Sequence, residues 1–385
     1  MRNEDIYQPV TPAVYIVADN IYSPIGTTTA QNFEALKQGI SGIQKHQNPA
    51  ISDGEFYASL FNYKENKVLK QFKNSKFENL LIASVEAALS EVDIDVENDK
   101  TILIISSTKG NISLLETNAA DAELQNKIAL HTSARIVAGY FGLANQPLVV
   151  SNACISGIMA VLAGMRLLQS GKYETAIVVG ADEISKFVLS GFQSFQAISD
   201  EPCKPFDQNR NGITLGEGAA TMILSTNSKY AGRIKVLGGA VSNDANHISA
   251  PSRTGEELSG AINRTLSMSA LTAEDVDLIS AHGTATSYND EMEAKAIALS
   301  GLDTVPANSL KGYYGHTLGA AGLIESIISV QSLKQNMILP TLGFETIGVS
   351  SPINICTQLT PKRLKTCLKT ASGFGGCNAA VLYSK

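Results

Sequence analysis

The segment VVSNACISGIMAV, residues 149–161, decides the fold assignment because it combines a strand, a sharp turn and a helix around one cysteine. The pattern predicts that Cys154 lies at a helix N-terminus, where the positive end of the helix dipole favours a thiolate. The turn also leaves backbone N–H groups available to an oxyanion. A free cysteine is more often a small buried apolar residue, so this segment alone leaves both a nucleophile and a packing residue open.

A second segment repeats this arrangement. Cys154-Ile-Ser-Gly157 opens the helical segment GIMAVLAGMRLLQSG, and His316-Thr-Leu-Gly319 opens GAAGLIESIISVQSLKQ. Gly and Ala in both helices permit close packing between layers, at a helix-propensity cost of up to about 1 kcal/mol per Gly. The repeat predicts two halves of similar βα architecture, each presenting one reactive side chain at a buried helix N-terminus.

Three apolar runs, at 101–108, 176–183 and 276–284, have the composition of strands buried on both faces of a parallel sheet. Strands alternate with helical segments along the chain, which predicts an α/β fold. His282 follows the last apolar run, and the ends of strands in such sheets are where ligands bind. A lone histidine is more often structural, but two histidines and a cysteine at such junctions fit acyl chemistry.

Composition excludes several classes of protein. Of the 385 residues, 44% are hydrophobic and 17% are charged, which is too apolar for a disordered chain. The net charge of −6 disfavours nucleic-acid and anionic-membrane binding, and no apolar run reaches the roughly 20 residues of a transmembrane helix. The N-terminal MRNEDIYQPV lacks the apolar run of a signal peptide, and five dispersed cysteines favour neither disulfides nor a zinc site. We expect a cytoplasmic protein without a metal.

Taken together, these motifs resemble those of the β-ketoacyl-acyl carrier protein synthases of the elongating, Cys-His-His class. The resemblance is carried by NACISG with Cys154, AHGTAT with His282, NSLKGYYGHTLGAAGLIES with Lys311 and His316, and GFGGCN with Phe374. It covers nearly the whole chain in the family's order. It implies a thiolase-like α/β fold of duplicated halves, residues 1–230 and 231–385, stacked in five α-β-α-β-α layers.

The resemblance also implies a reaction. An acyl group passes from a carrier-protein thioester to Cys154, malonyl-carrier loses carbon dioxide, and the enolate attacks the acyl-cysteine to give a 3-oxoacyl carrier protein. Substrates arrive as 4'-phosphopantetheine thioesters, and no separate cofactor is expected. The implied site comprises the nucleophile Cys154, enolate-stabilising His282 and His316, a Lys311–Glu325 ion pair, an oxyanion hole at the Cys154 and Phe374 amides, a gate at Phe374, and substrate contacts at Thr284, Thr286, Ser249 and Phe192.

The implied partners are an acyl carrier protein and a second subunit, in a homodimer or a heterodimer. An acidic carrier and an acidic enzyme repel at long range, so the docking face must be locally basic. The candidate cations for this face are Lys67, Lys70, Lys73, Lys76 and Arg210. Taken by itself, the Asp207–Arg210 pair predicts an ion pair that braces a loop.

Three alternatives use the same or a related fold. A thiolase needs a second catalytic cysteine in a CxG-type motif, whereas Cys377 follows GFGG. An initiating synthase uses asparagine where His316 stands. A chain-length-factor-like partner typically lacks the nucleophile, whereas Cys154 is present. The elongating synthase is the expected function, and a non-elongating partner in a heterodimeric ketosynthase is the alternative.

Overall fold

The computed structural model of the protein describes residues 11–62, 66, 70, 73–119 and 121–385. Its first strands are β1 (Val14–Tyr22), β2 (Ile43–His46), β3 (Phe56–Ser59), β4 (Thr101–Ser106), β5 (Leu148–Val150), β6 (Thr175–Asp182), β7 (Leu215–Gly216) and β8 (Gly218–Ser225). The later strands are β9 (Lys235–Asn243), β10 (Leu278–Ser280), β11 (Ala307–Asn308), β12 (Met337–Ile338), β13 (Thr360–Pro361), β14 (Thr366–Gly373) and β15 (Cys377–Ser384).

The helices alternate with these strands along the chain. They are α1 (Thr29–Lys37), α2 (Lys76–Leu89), α3 (Ala122–Ile128), α4 (Leu130–Tyr140), α5 (Ser156–Gln169), α6 (Lys186–Ser194), α7 (Glu256–Met268), α8 (Ser287–Leu299), α9 (Lys311–Tyr314) and α10 (Ala321–Gln335). Over the described ranges, none of them is both long and apolar enough to cross a bilayer.

The main sheet is built from two sets of strands with the same topology. One set runs β1-β8-β6-β4-β5 and the other β9-β15-β14-β10-β11. In each set the last three strands in this order pair parallel, and the remaining pairs are antiparallel. A short antiparallel pairing of β1 with β9 joins the sets. The repeated order confirms the duplication that the two similar helix openings predict.

Helices α5 and α10 form the middle layer, since both contact strands of both sets. They approach so closely that a Cβ built on Gly157 would lie 2.6 Å from the backbone nitrogen of Leu323. The close packing of these two helices therefore requires a glycine at position 157.

The outer layers complete a five-layer order. Helix α2 packs against β1, β6 and β8, while α7 packs against β9 and β15 and carries α8 on it. Every residue of β4 is buried, because one face packs on the outer layer and the other on the central helices. The α-β-α-β-α order is the thiolase-like fold expected from the sequence. The boundary expected between residues 230 and 231 falls between β8 and β9, and the division into units there stays a prediction.

Candidate active site

Cys154 lies in the turn between β5 and α5. Ala153 adopts a left-handed conformation with φ of +42°, which is costly for a residue with a Cβ. The hydroxyl of Ser156 stabilises this turn, because it donates to the Ala153 carbonyl at 2.7 Å and accepts from the Asn152 N–H at 2.8 Å. The strained turn places the thiol at the start of α5, as the sequence predicts.

The protonation of Cys154 differs from the sequence expectation. Burial raises the pKa of the Cys154 thiol to about 12, and the nearby Cys377 adds to the shift. The helix dipole opposes this by at most about 2 kcal/mol, or roughly 1.5 pKa units. Burial therefore outweighs the dipole, and Cys154 rests as a thiol.

His282 follows β10 in a loop that two acidic residues of α8 hold in place. The carboxylate of Glu293 accepts from the N–H of His282 at 2.8 Å and from that of Gly283 at 2.7 Å. Asp290, one turn earlier, accepts from the N–H groups of Thr284 and Ala285. Sequence analysis missed both carboxylates. Their spacing of three residues, directly after a histidine loop, is the signal that could have found them.

His316 lies between α9 and α10, in the central layer. Its Nδ1 lies 3.2 Å from the backbone N–H of Leu318, which donates to it. A neutral imidazole that accepts at Nδ1 carries its proton at Nε2. His316 therefore presents a hydrogen-bond donor to the site.

The two imidazoles meet the thiol in a compact cluster. Their ring centroids lie 5.2 Å apart at an interplanar angle of 84°. The Sγ of Cys154 and one ring nitrogen of each histidine lie within 4.8 Å of one another. Burial lowers the pKa of His282 and of His316 well below the ordinary value, and the Lys311 ammonium lowers both further. Both rings are therefore neutral near pH 7.

Lys311 and Glu325 form the ion pair that the sequence predicts, and both are buried. The Nζ of Lys311 donates to the His282 carbonyl at 2.9 Å and lies 3.4 Å from Nδ1 of the same residue. That contact leaves the His282 proton at Nε2, as in His316. Lys311 and Glu325 lie behind His282 rather than in the cavity wall. A second buried lysine, Lys369, also pairs with Glu325 and was missed by the sequence analysis.

Asp182, at the end of β6, connects the two halves beneath the site. Its carboxylate accepts from the Ser107 hydroxyl at 2.7 Å, from the Lys109 N–H at 3.1 Å and from the Gly319 N–H at 2.7 Å. Burial raises the pKa of Asp182 to about 6 despite these bonds. The sequence shows only an acidic residue ending an apolar strand, so this role became visible only in the fold.

A cavity of about 280 Å³ opens onto the cluster. Phe374 follows β14 in a turn whose Gly375 and Gly376 have positive φ. Its ring lies 5.6 Å from that of Phe192 and 5.3 Å from that of Phe195, between centroids. The cavity brings together the following predicted residues: Cys154, His282, His316, Phe374, Thr284, Thr286, Ser249 and Phe192.

Comparison with known protein families gives two matches that together span most of the chain. The beta-ketoacyl synthase N-terminal domain matches residues 11–230, and the C-terminal domain of the same family matches residues 234–345. The chain belongs to the beta-ketoacyl synthase family. It is a ketosynthase, an acyltransferase that catalyses decarboxylative condensation, as the sequence predicts.

Relatives of this ketosynthase are named as 3-oxoacyl-acyl-carrier-protein synthases and as polyketide beta-ketoacyl synthases. The 3-oxoacyl-acyl-carrier-protein synthase 2 of Vibrio cholerae is 26% identical over 97% of this chain and 99% of its own length. A putative polyketide beta-ketoacyl synthase of Streptomyces cyaneus is 31% identical over 73% of this chain and 70% of its own. A chain from the complex of a Xenorhabdus doucetiae ketosynthase with its chain length factor has a TM-score of 0.87 at 24% identity, covering 98% and 99% of the two chains.

The predicted basic docking face of the ketosynthase needs correction. Lys76 is not a solvated cation, because its Nζ pairs with the buried carboxylates of Glu217 and Glu183. Arg210 donates to the backbone carbonyls of Asp207 at 2.9 Å and Gly348 at 2.6 Å, rather than to the Asp207 carboxylate. Lys70 and Lys73 are exposed. Lys67 lies outside the described residues.

Proposed function

We propose that this ketosynthase carries its acyl group on Cys154 and condenses it with a malonyl group held by an acyl carrier protein. The observation that supports this most directly is the meeting of one thiol and two neutral imidazoles within 4.8 Å at the end of a cavity. The thiol can accept an acyl group, and the imidazoles can donate hydrogen bonds to a developing oxyanion. The two functions together make a condensation site.

In the first step, the Cys154 sulfur attacks the carbonyl carbon of an acyl thioester. The new S–C bond forms as the pantetheine C–S bond breaks, and the Cys154 proton ends on the departing pantetheine sulfur. The oxyanion of the tetrahedral intermediate binds the backbone N–H groups of Cys154 and Phe374. Gly373 supports this assignment, because a Cβ there would lie only 2.9 Å from the Cys154 nitrogen. The end of β14 therefore lies directly beside the nucleophile's amide.

In the second step, the malonyl thioester oxygen accepts hydrogen bonds from Nε2 of His282 and His316. The C–C bond to the carboxylate carbon breaks and carbon dioxide leaves. The electron pair of the broken bond stays on the thioester fragment and forms an enolate. The enolate carbon attacks the acyl carbonyl, the C–S bond to Cys154 breaks, and the departing thiolate takes a proton from solvent. Neutral imidazoles suit this role, since each carries its proton on the nitrogen that faces the substrate.

The thioester arm occupies the cavity mouth. Thr284, Thr286 and Ser249 offer hydroxyl groups in its wall, and Phe192 and Phe374 supply apolar rings. This mixture of hydroxyl groups and apolar surface suits the amides and methylenes of a phosphopantetheine arm, which the substrates bring with them. No cofactor held by the protein itself enters this scheme. We assign the gate between empty and acylated states to Phe374.

A second copy of the chain is the proposed subunit partner. The main sheet ends at β5, whose three residues are only partly covered. Large apolar side chains are exposed at this edge, on β5 itself and on α4, which contacts β5. These residues are Leu148, Ile136 and Tyr140. Exposed apolar surface of this kind is typical of protein interfaces. A chain-length-factor subunit is the alternative partner, since complexes of that type share this fold.

The test is the intact mass of the protein after incubation with acyl-carrier substrates. The wild type and a Cys356→Ala control should gain one acyl group, and Cys154→Ala should gain none. Cys154→Gln should retain malonyl decarboxylation, because the amide imitates the acylated state while both histidines remain. An acyl adduct on Cys154→Ala would contradict the assignment of the nucleophile. A wild type that is never acylated would favour the non-elongating partner.

A further inference from the structure

A second lysine is buried beside the catalytic cluster. Lys369 lies on β14 with a relative exposure of 0%. Its Nζ lies 2.7 Å from Oε2 of Glu325, and it donates to the carbonyls of Ser280 and Ala281 at 3.1 Å each. No part of the condensation scheme described above uses this side chain.

Lys369 and Lys311 act on consecutive parts of the same chain segment. Lys369 binds the carbonyls of Ser280 and Ala281, and Lys311 binds the next carbonyl, that of His282. Glu325 lies between the two ammonium groups, with one carboxylate oxygen facing each. The pair of lysines therefore fixes the end of β10 and the backbone from which the His282 ring projects.

This arrangement is costly as a purely structural device. An ammonium group loses its hydration on burial, and an apolar side chain of similar size often stabilises a core as well or better. Burial lowers the pKa of Lys369, and the Glu325 carboxylate opposes that change. The desolvation cost suggests that the charge serves the site and not only the core.

The charged groups around Lys369 come from several elements. Two carboxylates face it, Glu325 from α10 and Glu293 from α8, together with the Lys311 ammonium from α9. The neutral rings of His282 and His316 and the thiol of Cys367 complete its titratable surroundings. Two ammonium groups thus balance two carboxylates. Without Lys369, excess negative charge would remain beside the position where the enolate forms.

We propose that Lys369 is a positioning residue of the active site, whose ammonium balances the buried carboxylates and keeps both imidazoles as neutral Nε2–H donors. This inference rests on the proposed function. An extra negative charge favours the imidazolium form of the histidines. A proton on Nδ1 would then face the Lys311 ammonium in His282 and the Leu318 N–H in His316, so that two donors would oppose each other at each ring. Both tautomer-fixing contacts would then be lost.

The experiment measures malonyl-carrier decarboxylation against pH in the wild type, Lys369→Met, Lys369→Gln and Lys369→Arg. Glutamine keeps amide donors for the two carbonyls but has no charge, whereas arginine keeps the charge. We expect the acidic limb of the kcat profile to move up by about one pH unit in the methionine and glutamine variants. We also expect a roughly 10-fold to 100-fold loss of kcat in both. The arginine variant should keep the wild-type limb.

Lys334→Met is the control, because it removes an exposed lysine of α10, the helix that also carries Glu325. This lysine pairs with Asp19 of β1 and not with Glu325. Its profile should match the wild type. A folded Lys369→Gln protein with an unmoved acidic limb would overturn the inference. The wild type alone also tests the inference. An acidic limb of its kcat profile at or above about pH 6.5, the ordinary histidine pKa, would overturn the inference. A wild type that does not decarboxylate malonyl-carrier would instead refute the proposed function.

Discussion

Leu318 donates its backbone N–H to Nδ1 of His316 across 3.2 Å. Leu318 itself has a φ of +52°, a conformation that strains a branched side chain. The turn therefore holds an unfavourable backbone conformation in a position that fixes the tautomer of a buried histidine. Because Nδ1 is occupied, the only proton that this neutral ring can offer a substrate is at Nε2.

Replacement of His316 should separate the two chemical steps. His316→Ala should still acylate Cys154 but lose malonyl decarboxylation by roughly 10²–10³-fold, because one oxyanion donor is removed. His316→Gln, which can place an amide N–H near the Nε2 position, should recover part of that loss. Mass spectrometry reports acylation, and carbon dioxide release reports the second step. Normal decarboxylation by the alanine variant would exclude His316 from the mechanism.

Gly373→Ala should damage acylation while the fold is kept. The added Cβ would lie 2.9 Å from the Cys154 nitrogen and 3.0 Å from the Cys377 sulfur. It would displace the amide proposed to bind the oxyanion, so the single-turnover acylation rate should fall at least about 100-fold. Gly54→Ala is the control, because its Cβ would meet nothing within 4 Å. Equal acylation rates in the two variants would argue against this oxyanion hole.

Asp182→Asn should change how stability depends on pH. The pKa of Asp182 is raised from 3.8 to about 6 in the folded chain, so its contribution to stability is complete below about pH 4 and is lost as the pH rises through 6. The free energy of unfolding of the wild type, relative to the variant, should therefore fall by about 3 kcal/mol between pH 4 and 7. Denaturant titrations measure this difference. A difference in unfolding free energy between the wild type and the variant that stays constant from pH 4 to 7 would contradict this prediction.

Lys76→Met should destabilise the protein rather than weaken carrier docking. The lysine is the cation paired with Glu217 and Glu183, whose side chains are 1% and 4% exposed. Its removal leaves buried carboxylates uncompensated, which typically costs about 3–5 kcal/mol. Lys73→Met, at an exposed position, should leave the denaturation midpoint unchanged. A test of carrier docking should therefore reverse Lys70 and Lys73 and leave Lys76 intact.

The sequence by itself determined the elements and the reactive groups. Apolar runs predicted β4 and β6, and helical periodicity with small residues predicted the helices that follow Cys154 and His316. These elements could be predicted because each leaves its pattern of buried residues in a short stretch of sequence. Long motifs with several fixed residues singled out the proposed nucleophile, both histidines and the Lys311–Glu325 pair. The repeated helix opening also predicted the duplication, since each half folds by the same local rules.

Only the tertiary structure decided the electrostatics of the site. The thiol form of Cys154 follows from burial, which no local sequence pattern measures. The effect of burial on the pKa outweighs that of the helix dipole, which the sequence does reveal. Lys76 resembled a solvated cation because its buried carboxylate partners are more than 100 residues away. Asp182 and Lys369 were missed for the same reason. Each acts on backbone groups from distant segments, and the charge that a buried group keeps depends on neighbours that only folding brings together.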